Sequence, residues 1–367
     1  MGLHPLARGR QMMLRSVLTA TQRRVDPLWR RSKAVTRASL LCVAAAAALS
    51  CVVDIVVAQI PADVPMQLET KVPLGDVAGR IDHMAVDLAR GRLFVAELGN
   101  DTVGVVDLNT RKVLHRIAGL KEPQGIGYLA SNDTLYVANA GDGSVLLFRG
   151  PDYAGAGRIE LGGDADNIRV DAAANRVFVG YGNGALAVID PATNGKVADI
   201  PLRQHPESFQ LARSDRRIFV NVPKAREIAV VDRFAGKQTA SWPIDNDTFF
   251  PMALDEASGR VLVAFRNPPR LGIFSTRDGR PVAVVDSCGD ADDLFVDAKR
   301  HRVYLSCGDG YLDVFEPEGE AYRRSAHIPT IAGARTALFV PEIDRLFVAA
   351  RANPGEPAAI WIFRPAP

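Results

Sequence analysis

The sequence predicts an all-β fold, a seven-bladed β-propeller of four-stranded blades. Two observations lead to this prediction. One short apolar motif recurs seven times at a nearly constant period, and each repeat contains four strand-like segments separated by turn signals. Helical periodicity is absent beyond the N-terminal segment. With 47% hydrophobic and 23% charged residues, the 367-residue chain has enough apolar material for one large folded body.

The recurring motif is an Arg or Thr followed by three mostly apolar residues. Its copies are RLFV at 92–95, TLYV at 134–137, RVFV at 176–179, RIFV at 217–220, RVLV at 260–263, RVYL at 302–305 and RLFV at 345–348. The third residue of each copy is used below as its anchor. The anchors are Phe94, Tyr136, Phe178, Phe219, Leu262, Tyr304 and Phe347, spaced by 41 to 43 residues. Such a period is typical of propeller blades.

Four strands are predicted in each repeat. In the first repeat they are His83–Val86, Leu93–Ala96, Val103–Asp107 and Val113–Ile117. The last repeat ends at Ile360–Arg364, one strand short, whereas Leu68–Leu74 near the other end of the chain looks like a fourth strand. We therefore expect the N-terminal strand to complete the seventh blade, because a closed ring protects strand edges.

Residues 1–58 are predicted to be a signal peptide or an N-terminal membrane anchor. Nine Arg and Lys residues precede the apolar stretch Ser39–Val53, and Val56-Val57-Ala58 suits cleavage. The alternatives are a permanent anchor over Leu40–Ala58 and a lipidated Cys51. Residues 59–367 then form one propeller domain, which is periplasmic or secreted, or membrane-anchored if the segment is not cleaved.

The charge of the propeller body argues against a nucleic-acid partner. The first 58 residues hold nine of the 44 Lys and Arg residues and two of the 42 Asp and Glu residues, which leaves 35 basic and 40 acidic residues after them. A mildly acidic body has no excess of positive charge for binding phosphates. We expect membrane contact only through the N-terminal segment.

Several segments resemble the YVTN-type bacterial β-propeller repeat family. They include LYVAN at 135–139 with the following GDGSVLLF, and GNDTVGVVDLNTRKVLHRI at 99–117. The likeness covers all seven repeats and implies an exported or surface propeller. It identifies no catalytic residue, because the family motif is structural.

Comparison of the repeats separates structural residues from functional candidates. An Asp seven residues before the anchor recurs in four repeats and is expected to close a turn, as in Asp87 and Asp297. The positions twelve and eleven before the anchor vary, and in a propeller they begin the first strands at the mouth of the central channel. The candidate ligand-binding residues there are Asp82, His83, Gln124, Asp166, Asn167, Glu207, Phe250, Asp292, Asp293 and Arg335.

These residues predict a binding site at the channel mouth for a small molecule or a protein partner. Convergent carboxylates would accept a cation or hydroxyl groups, Arg335 would orient an anionic group, and Phe250 would offer a stacking surface. No cofactor is assigned, and a divalent cation at the mouth is the candidate. His205 lies near the mouth. Arg266–Arg270, on the same face, is interpreted as a solvated hairpin tip, with a basic partner-binding rim as the alternative.

Catalysis is not expected from the sequence motifs. The sequence contains no CxxCH, HExxH or GxSxG motif. The predicted function is therefore ligand or partner binding. The alternative is a metal-assisted or acid–base lactonase, hydrolase or lyase that uses the mouth carboxylates and His83. A third interpretation is an accessory subunit that presents a redox partner.

Cys288 and Cys307 are the only cysteines after residue 58. Cys288 precedes the first strand of the sixth repeat and Cys307 ends its second strand, so both lie on the same face. We predict a disulfide between them in an oxidising compartment, with two free thiols as the alternative.

Overall fold

The structure is a computed structural model that describes residues 64–367. The predicted signal or anchor at 1–58 lies outside these residues and stays a prediction. Among the described residues, no helix is both long enough and apolar enough to cross a membrane.

The described chain forms seven sheets of four antiparallel strands, and six of them take their strands in chain order. Blade 1 contains β2 (Met84–Asp87), β3 (Arg92–Glu97), β4 (Thr102–Asp107) and β5 (Lys112–Ile117). Blade 2 contains β6 (Pro123–Leu129), β7 (Thr134–Asn139), β8 (Ser144–Arg149) and β9 (Ala154–Glu160). Blade 3 contains β10 (Ala165–Asp171), β11 (Arg176–Tyr181), β12 (Ala185–Asp190) and β13 (Gly195–Pro201). Blade 4 contains β14 (Phe209–Leu211), β15 (Arg217–Val222), β16 (Glu227–Asp232) and β17 (Lys237–Pro243).

The remaining blades follow the same plan. Blade 5 contains β18 (Phe249–Asp255), β19 (Arg260–Arg266), β20 (Pro269–Ser275) and β21 (Pro281–Asp286). Blade 6 contains β22 (Ala291–Asp297), β23 (Arg302–Cys307), β24 (Tyr311–Glu318) and β25 (Ala321–Pro329). Blade 7 contains β26 (Thr336–Val340), β27 (Arg345–Ala350), β28 (Ala359–Pro365) and β1 (Met66–Pro73). Short 3₁₀ turns occupy Leu98–Asn100, Ala130–Asn132 and Pro223–Ala225.

The seventh blade is built from both ends of the described chain. β1 pairs antiparallel with β28, with Leu68 opposite Phe363 and Val72 opposite Ile360. The first strands of successive blades contact one another all the way round, from β2 to β26 and back to β2. The predicted fold and its closure by the N-terminal strand are confirmed.

The core lies between neighbouring blades. All seven motif anchors are on second strands and are at most 2% exposed. Tyr136 of blade 2, for example, packs in one cluster with Ile168 of blade 3. Each blade buries apolar side chains against its neighbours, and every such side chain contributes about 1.5–3 kcal/mol relative to its exposed state.

The recurrent aspartates close turns at the face opposite the channel mouth. The Asp87 carboxylate accepts hydrogen bonds from the backbone N–H of Ala89 at 3.0 Å and of Arg90 at 3.2 Å. The Asp297 carboxylate likewise accepts hydrogen bonds from the backbone N–H groups of Lys299 and Arg300. This confirms the predicted turn role. The first strands therefore run from the mouth to these turns, which brings their starting residues together at the mouth.

Candidate functional site at the channel mouth

A polar cavity of about 240 Å³ lies where the first strands begin. All seven blades contribute to it. Its lining residues are Arg80, His83, Gln124, Asp164, Asp166, Asn167, His205, Glu207, Ser208, Lys224, Phe250, Arg266, Asp292 and Arg335. We call it the mouth cavity.

Eight of the ten candidate residues from the sequence line the mouth cavity, and Asp82 and Asp293 do not. Asp82 has no exposed surface, and its Oδ2 lies 2.6 Å from Nη2 of Arg80, so that guanidinium separates it from the ligand space. Asp293 faces the channel below, where its carboxylate accepts the backbone N–H of Ala337 at 2.8 Å. The structure therefore places these two residues outside the lining of the mouth cavity.

One side of the mouth cavity is an arginine cluster, formed by Arg80, Arg266 and Arg335 around Asp292. Arg335 Nε lies 3.0 Å from Asp292 Oδ2, Arg266 Nη2 lies 2.5 Å from Asp292 Oδ1, and Arg80 Nη2 lies 3.9 Å from Oδ2. Burial, followed by the charge of Asp82, raises the pKa of Asp292. The Asp292 carboxylate is thus shared among guanidinium groups and is not the free acceptor that the sequence predicted.

The arginine cluster keeps spare donors. Arg266 donates hydrogen bonds from Nε to Ala291 and from Nη2 to Asp292, while Arg335 donates from Nη1 to Asp290 and forms an ion pair with Asp292 through Nε. Among residues 64–367, Nη1 of Arg266 and Nη2 of Arg335 have no hydrogen-bond or ion-pair partner. A guanidinium group carries five N–H donors, so these groups can still bind an anionic ligand.

Phe250 supports Arg266 with one face of its ring. The Arg266 guanidinium lies over the Phe250 ring, 3.9 Å from its centroid. A cation held over an aromatic face is attracted by the ring quadrupole. One face of the ring is therefore covered by Arg266, and Arg266, expected in a solvated hairpin tip, lines the mouth cavity together with Phe250.

The other side of the mouth cavity is a His–carboxylate cluster formed by Asp166, His205 and Glu207. Their ligand atoms all lie within 4.8 Å of one another. Burial opposes the charged form of His205, but Asp166 and the Gly182 carbonyl outweigh it and raise its pKa to about 9. Burial, followed by the charge of Asp166, raises the pKa of Glu207 to about 7. In the described part of the chain, the Glu207 carboxylate has no hydrogen bond.

His83 forms the floor of the mouth cavity and also faces the channel below. Its Nε2 lies 3.6 Å from Asp82 Oδ1, and its Nδ1 lies 3.4 Å from Asp293 Oδ2. Burial disfavours its charged form, but these two carboxylates raise its pKa to about 10. These two carboxylates favour the protonated form of His83, and a protonated imidazole has no lone pair with which to act as a general base.

Arg80 and Asp164 line the mouth cavity but were not among the residues predicted from the sequence. Both stand fourteen residues before their anchors, two residues earlier than the candidate positions, and His205, which the sequence placed near the mouth, occupies the same position in its repeat. The position fourteen residues before the anchor is therefore a further signal for lining residues. Lys224 and Arg266 lie where the second strand of a blade leads into the third. Their sequence does not indicate that their side chains point into the mouth cavity.

The two cysteines of the propeller lie beside the cavity rather than in it. The structure joins Cys288 and Cys307 in a disulfide whose Cα atoms are 5.9 Å apart. Both residues are buried in blade 6. The bond ties the segment that precedes β22 to the end of β23.

Comparison with known proteins supports the fold. Neither a protein-family model nor a curated protein sequence matches the chain. The chain is similar in structure to hydrazine synthase from Kuenenia stuttgartiensis, with a TM-score of 0.66, 16% identity, and coverage of 75% of this chain and 93% of that chain. At this identity the likeness concerns the propeller fold alone.

Proposed function

We propose that the protein is an exported binding propeller that holds a small molecule with an anionic group in its mouth cavity, without chemistry of its own. The observation that supports this proposal most strongly is the mixed lining of the mouth cavity. Spare guanidinium donors of Arg266 and Arg335 line one side, and the carboxylates of Asp166 and Glu207 line the other. An anionic group fits the first side, and hydroxyl or amino groups fit the second.

The size of the mouth cavity favours a small molecule over a protein segment. The volume of about 240 Å³ lies near the lower end of the range of roughly 300–1,000 Å³ that is usual for small-molecule pockets. A protein partner would need a surface of about 800 Å² on each side, far beyond the walls of this cavity.

Lys224 adds a positive charge to the cavity wall. Its side chain lines the mouth cavity, and in the range 64–367 it has no ion-pair partner. Together with the arginine cluster, Lys224 would attract an anionic ligand from solution.

Export rests on the sequence pattern of residues 1–58 and on the resemblance to YVTN-type repeats. We propose a periplasmic or secreted location, with the N-terminal segment as the means of membrane contact if it is retained. Mass determination of the mature protein from its own host tests this location: cleavage after Ala58 supports it, and an intact N-terminus on a cytosolic protein contradicts it.

The binding proposal is tested by calorimetric titration with citrate, malate, gluconate and glucose 6-phosphate. We expect at least one of these anions to bind the wild type, and Arg266→Gln with Arg335→Gln to weaken that binding about tenfold or more, since two charge-assisted hydrogen-bond donors are lost. Arg270→Gln is the matched control, because Arg270 is an exposed arginine of the same hairpin. Equal affinity in the folded double variant and the control would contradict the proposal.

A lactonase, hydrolase or lyase is the second candidate. The observation in its favour is the Glu207 carboxyl group, which lines the cavity and has no hydrogen bond within residues 64–367. Such a group can transfer protons to a bound molecule. The test incubates the wild type and Glu207→Gln with any ligand that binds and analyses the mixture by mass spectrometry. Product formed by the wild type but not by the variant would establish catalysis, and unchanged ligand with both proteins would support binding alone.

A further inference from the structure

We propose that Asp166, His205 and Glu207 bind one divalent transition-metal ion in the wall of the mouth cavity. The three side chains belong to blade 3 and to the segment that leads into blade 4, and their ligand atoms lie within 4.8 Å of one another. Two ligands bonded to one ion at about 2.1 Å are at most about 4.2 Å apart, so a small inward movement brings them into coordination distance.

The His205 ring is oriented for metal binding by its second nitrogen. Nδ1 lies 2.6 Å from the carbonyl oxygen of Gly182, and because a carbonyl only accepts, Nδ1 carries the donated proton. Neutral His205 therefore has its lone pair on Nε2, which lies 3.9 Å from Asp166 Oδ2. Histidines that bind metals are commonly oriented in this way by a backbone carbonyl.

Asp166 and Glu207 have free oxygens aimed at the same space. Asp166 is only 7% exposed, and in the part of the chain that the structure describes its carboxylate accepts one hydrogen bond, from Asn167 Nδ2 to Oδ1 at 3.4 Å. Within the described residues, Asp166 Oδ2 and both Glu207 oxygens lack a hydrogen bond. Both residues line the mouth cavity, and a cation bound between these oxygens would stabilise their charged form.

The segment that carries His205 and Glu207 is held firmly. Pro206, between them, packs so closely on Gly180 that a Cβ at Gly180 would lie 3.1 Å from Pro206 Cγ. The Glu207 N–H also donates to the carbonyl of Asn221 at 2.9 Å. Such support keeps the two side chains on one side of the cavity, which lowers the entropy cost of coordination.

The donor set indicates the class of metal. One imidazole nitrogen with two carboxylates suits Zn²⁺, Mn²⁺ or Fe²⁺ better than Ca²⁺, which prefers oxygen ligands alone. Three protein ligands leave open positions that face the cavity, as in sites where an ion contacts a bound molecule. This inference deepens the proposed function and rests on it, because the ion would bind the same ligand as the arginine cluster.

The test is calorimetric titration of untagged, chelator-treated protein with ZnCl₂ and MnCl₂. We expect one ion per chain and a Kd in the micromolar range or below, weakened about tenfold or more in His205→Gln and in Glu207→Gln. His115→Gln, on an exposed outer strand, is the control. X-ray absorption at the zinc edge should show one imidazole. No binding to the folded wild type, wild-type affinity in both folded site variants, or an all-oxygen shell would overturn the inference.

A parallel titration with the organic anions separates this inference from the proposed function. Anion binding by the chelator-treated wild type, with no binding of either metal, would overturn the metal site and leave the proposed function intact. Metal binding that His205→Gln weakens, with no anion bound in the presence or absence of the metal, would support the metal site and contradict the anion-binding function.

Discussion

At the scale of single residues, charge neutralisation organises the mouth cavity. Asp292 is shared by Arg266 and Arg335, and Asp82 pairs with Arg80 beneath the cavity. Each carboxylate lowers the cost of burying its guanidinium partner, because a buried charge without a partner is strongly unfavourable. The mouth is therefore a balanced network of charges with spare hydrogen-bond donors, and not the acidic ring that its sequence suggested.

The pairing of Asp344 with Arg300 offers a residue-level test by pH. Arg300 Nη1 and Nη2 donate to the Asp344 carboxylate at 2.6 and 2.7 Å, and this pair, against a smaller effect of burial, lowers the pKa of Asp344 to about 2. The ionised Asp344 carboxylate therefore stabilises the folded protein. This stabilisation is fully present above the unfolded-state pKa of about 3.8 and is lost as pH falls through about 2. We expect Asp344→Asn to reduce the free energy of unfolding at pH 7 by about 1 kcal/mol, and by progressively less below about pH 4.

Urea unfolding at pH 7, 4 and 3 measures this effect. Asp245→Asn is the control, because Asp245 is fully exposed and its nearest cation lies at 3.9 Å. A constant deficit of Asp344→Asn at all three pH values would show that the loss comes from packing and not from the ion pair.

The predictability of individual residues from the sequence depends on repetition. Asp87 and Asp297 could be assigned to turns because the same local hydrogen bonds are needed in many blades. Arg266 could not be assigned to the cavity, since its direction depends on Phe250 and Asp292, which belong to other segments. Turn hydrogen bonds can be predicted from a few neighbouring residues. Side-chain contacts between different blades depend on the closed ring and cannot be predicted from local sequence.

At the scale of elements, the strands were predicted closely and the connections less well. In blade 1 the structure places β3 at Arg92–Glu97, where the sequence predicted Leu93–Ala96. Apolar runs bounded by turn residues define such strands directly. The segment that contains His205 and Glu207 has no regular secondary structure, so its placement depends on contacts of Pro206 and His205 that the sequence pattern does not show.

The disulfide is the element-level feature that is most easily tested. Cys288 and Cys307 are separated by 19 residues in sequence. A disulfide across a loop of that length restricts the unfolded chain and so stabilises the folded state by about 3 kcal/mol. We expect Cys288→Ser with Cys307→Ser to lower the free energy of unfolding by about this amount. Reductant should lower the stability of the wild type similarly and leave the variant unchanged.

Alkylation of unreduced, denatured protein gives the independent check. Modification of neither Cys288 nor Cys307 before reduction, and of both after it, is the expected pattern. Full modification before reduction would contradict the bond.

At the scale of the whole molecule, the ring closes through pairing of its two ends. The period of the repeats made this closure predictable, because seven copies left one strand missing at the C-terminal end and one unassigned strand near the N-terminal end. β1 also buries Met66 and Val72, and Leu74 follows it into the core. The ligand could not be predicted in the same way, since a propeller fold is compatible with many functions.

Removal of the closing strand should destabilise the entire propeller. Deletion of residues 66–75 exposes β28 as an edge and removes three buried apolar side chains, a loss of about 5 kcal/mol or more. The milder variant Leu74→Ala should lose about 2–5 kcal/mol. Thermal unfolding and light scattering measure the two effects. Wild-type stability of the deletion variant would contradict the closure.

The central claim, that the mouth cavity holds a small anionic ligand, is tested most directly by native mass spectrometry of protein purified from its own host without added ligand. The wild type and Arg270→Gln should carry a non-covalent small molecule that is released on denaturation, and folded Arg266→Gln with Arg335→Gln should lack it. The same ligand-free mass for all three folded proteins, or the same bound molecule in all three, would contradict the claim.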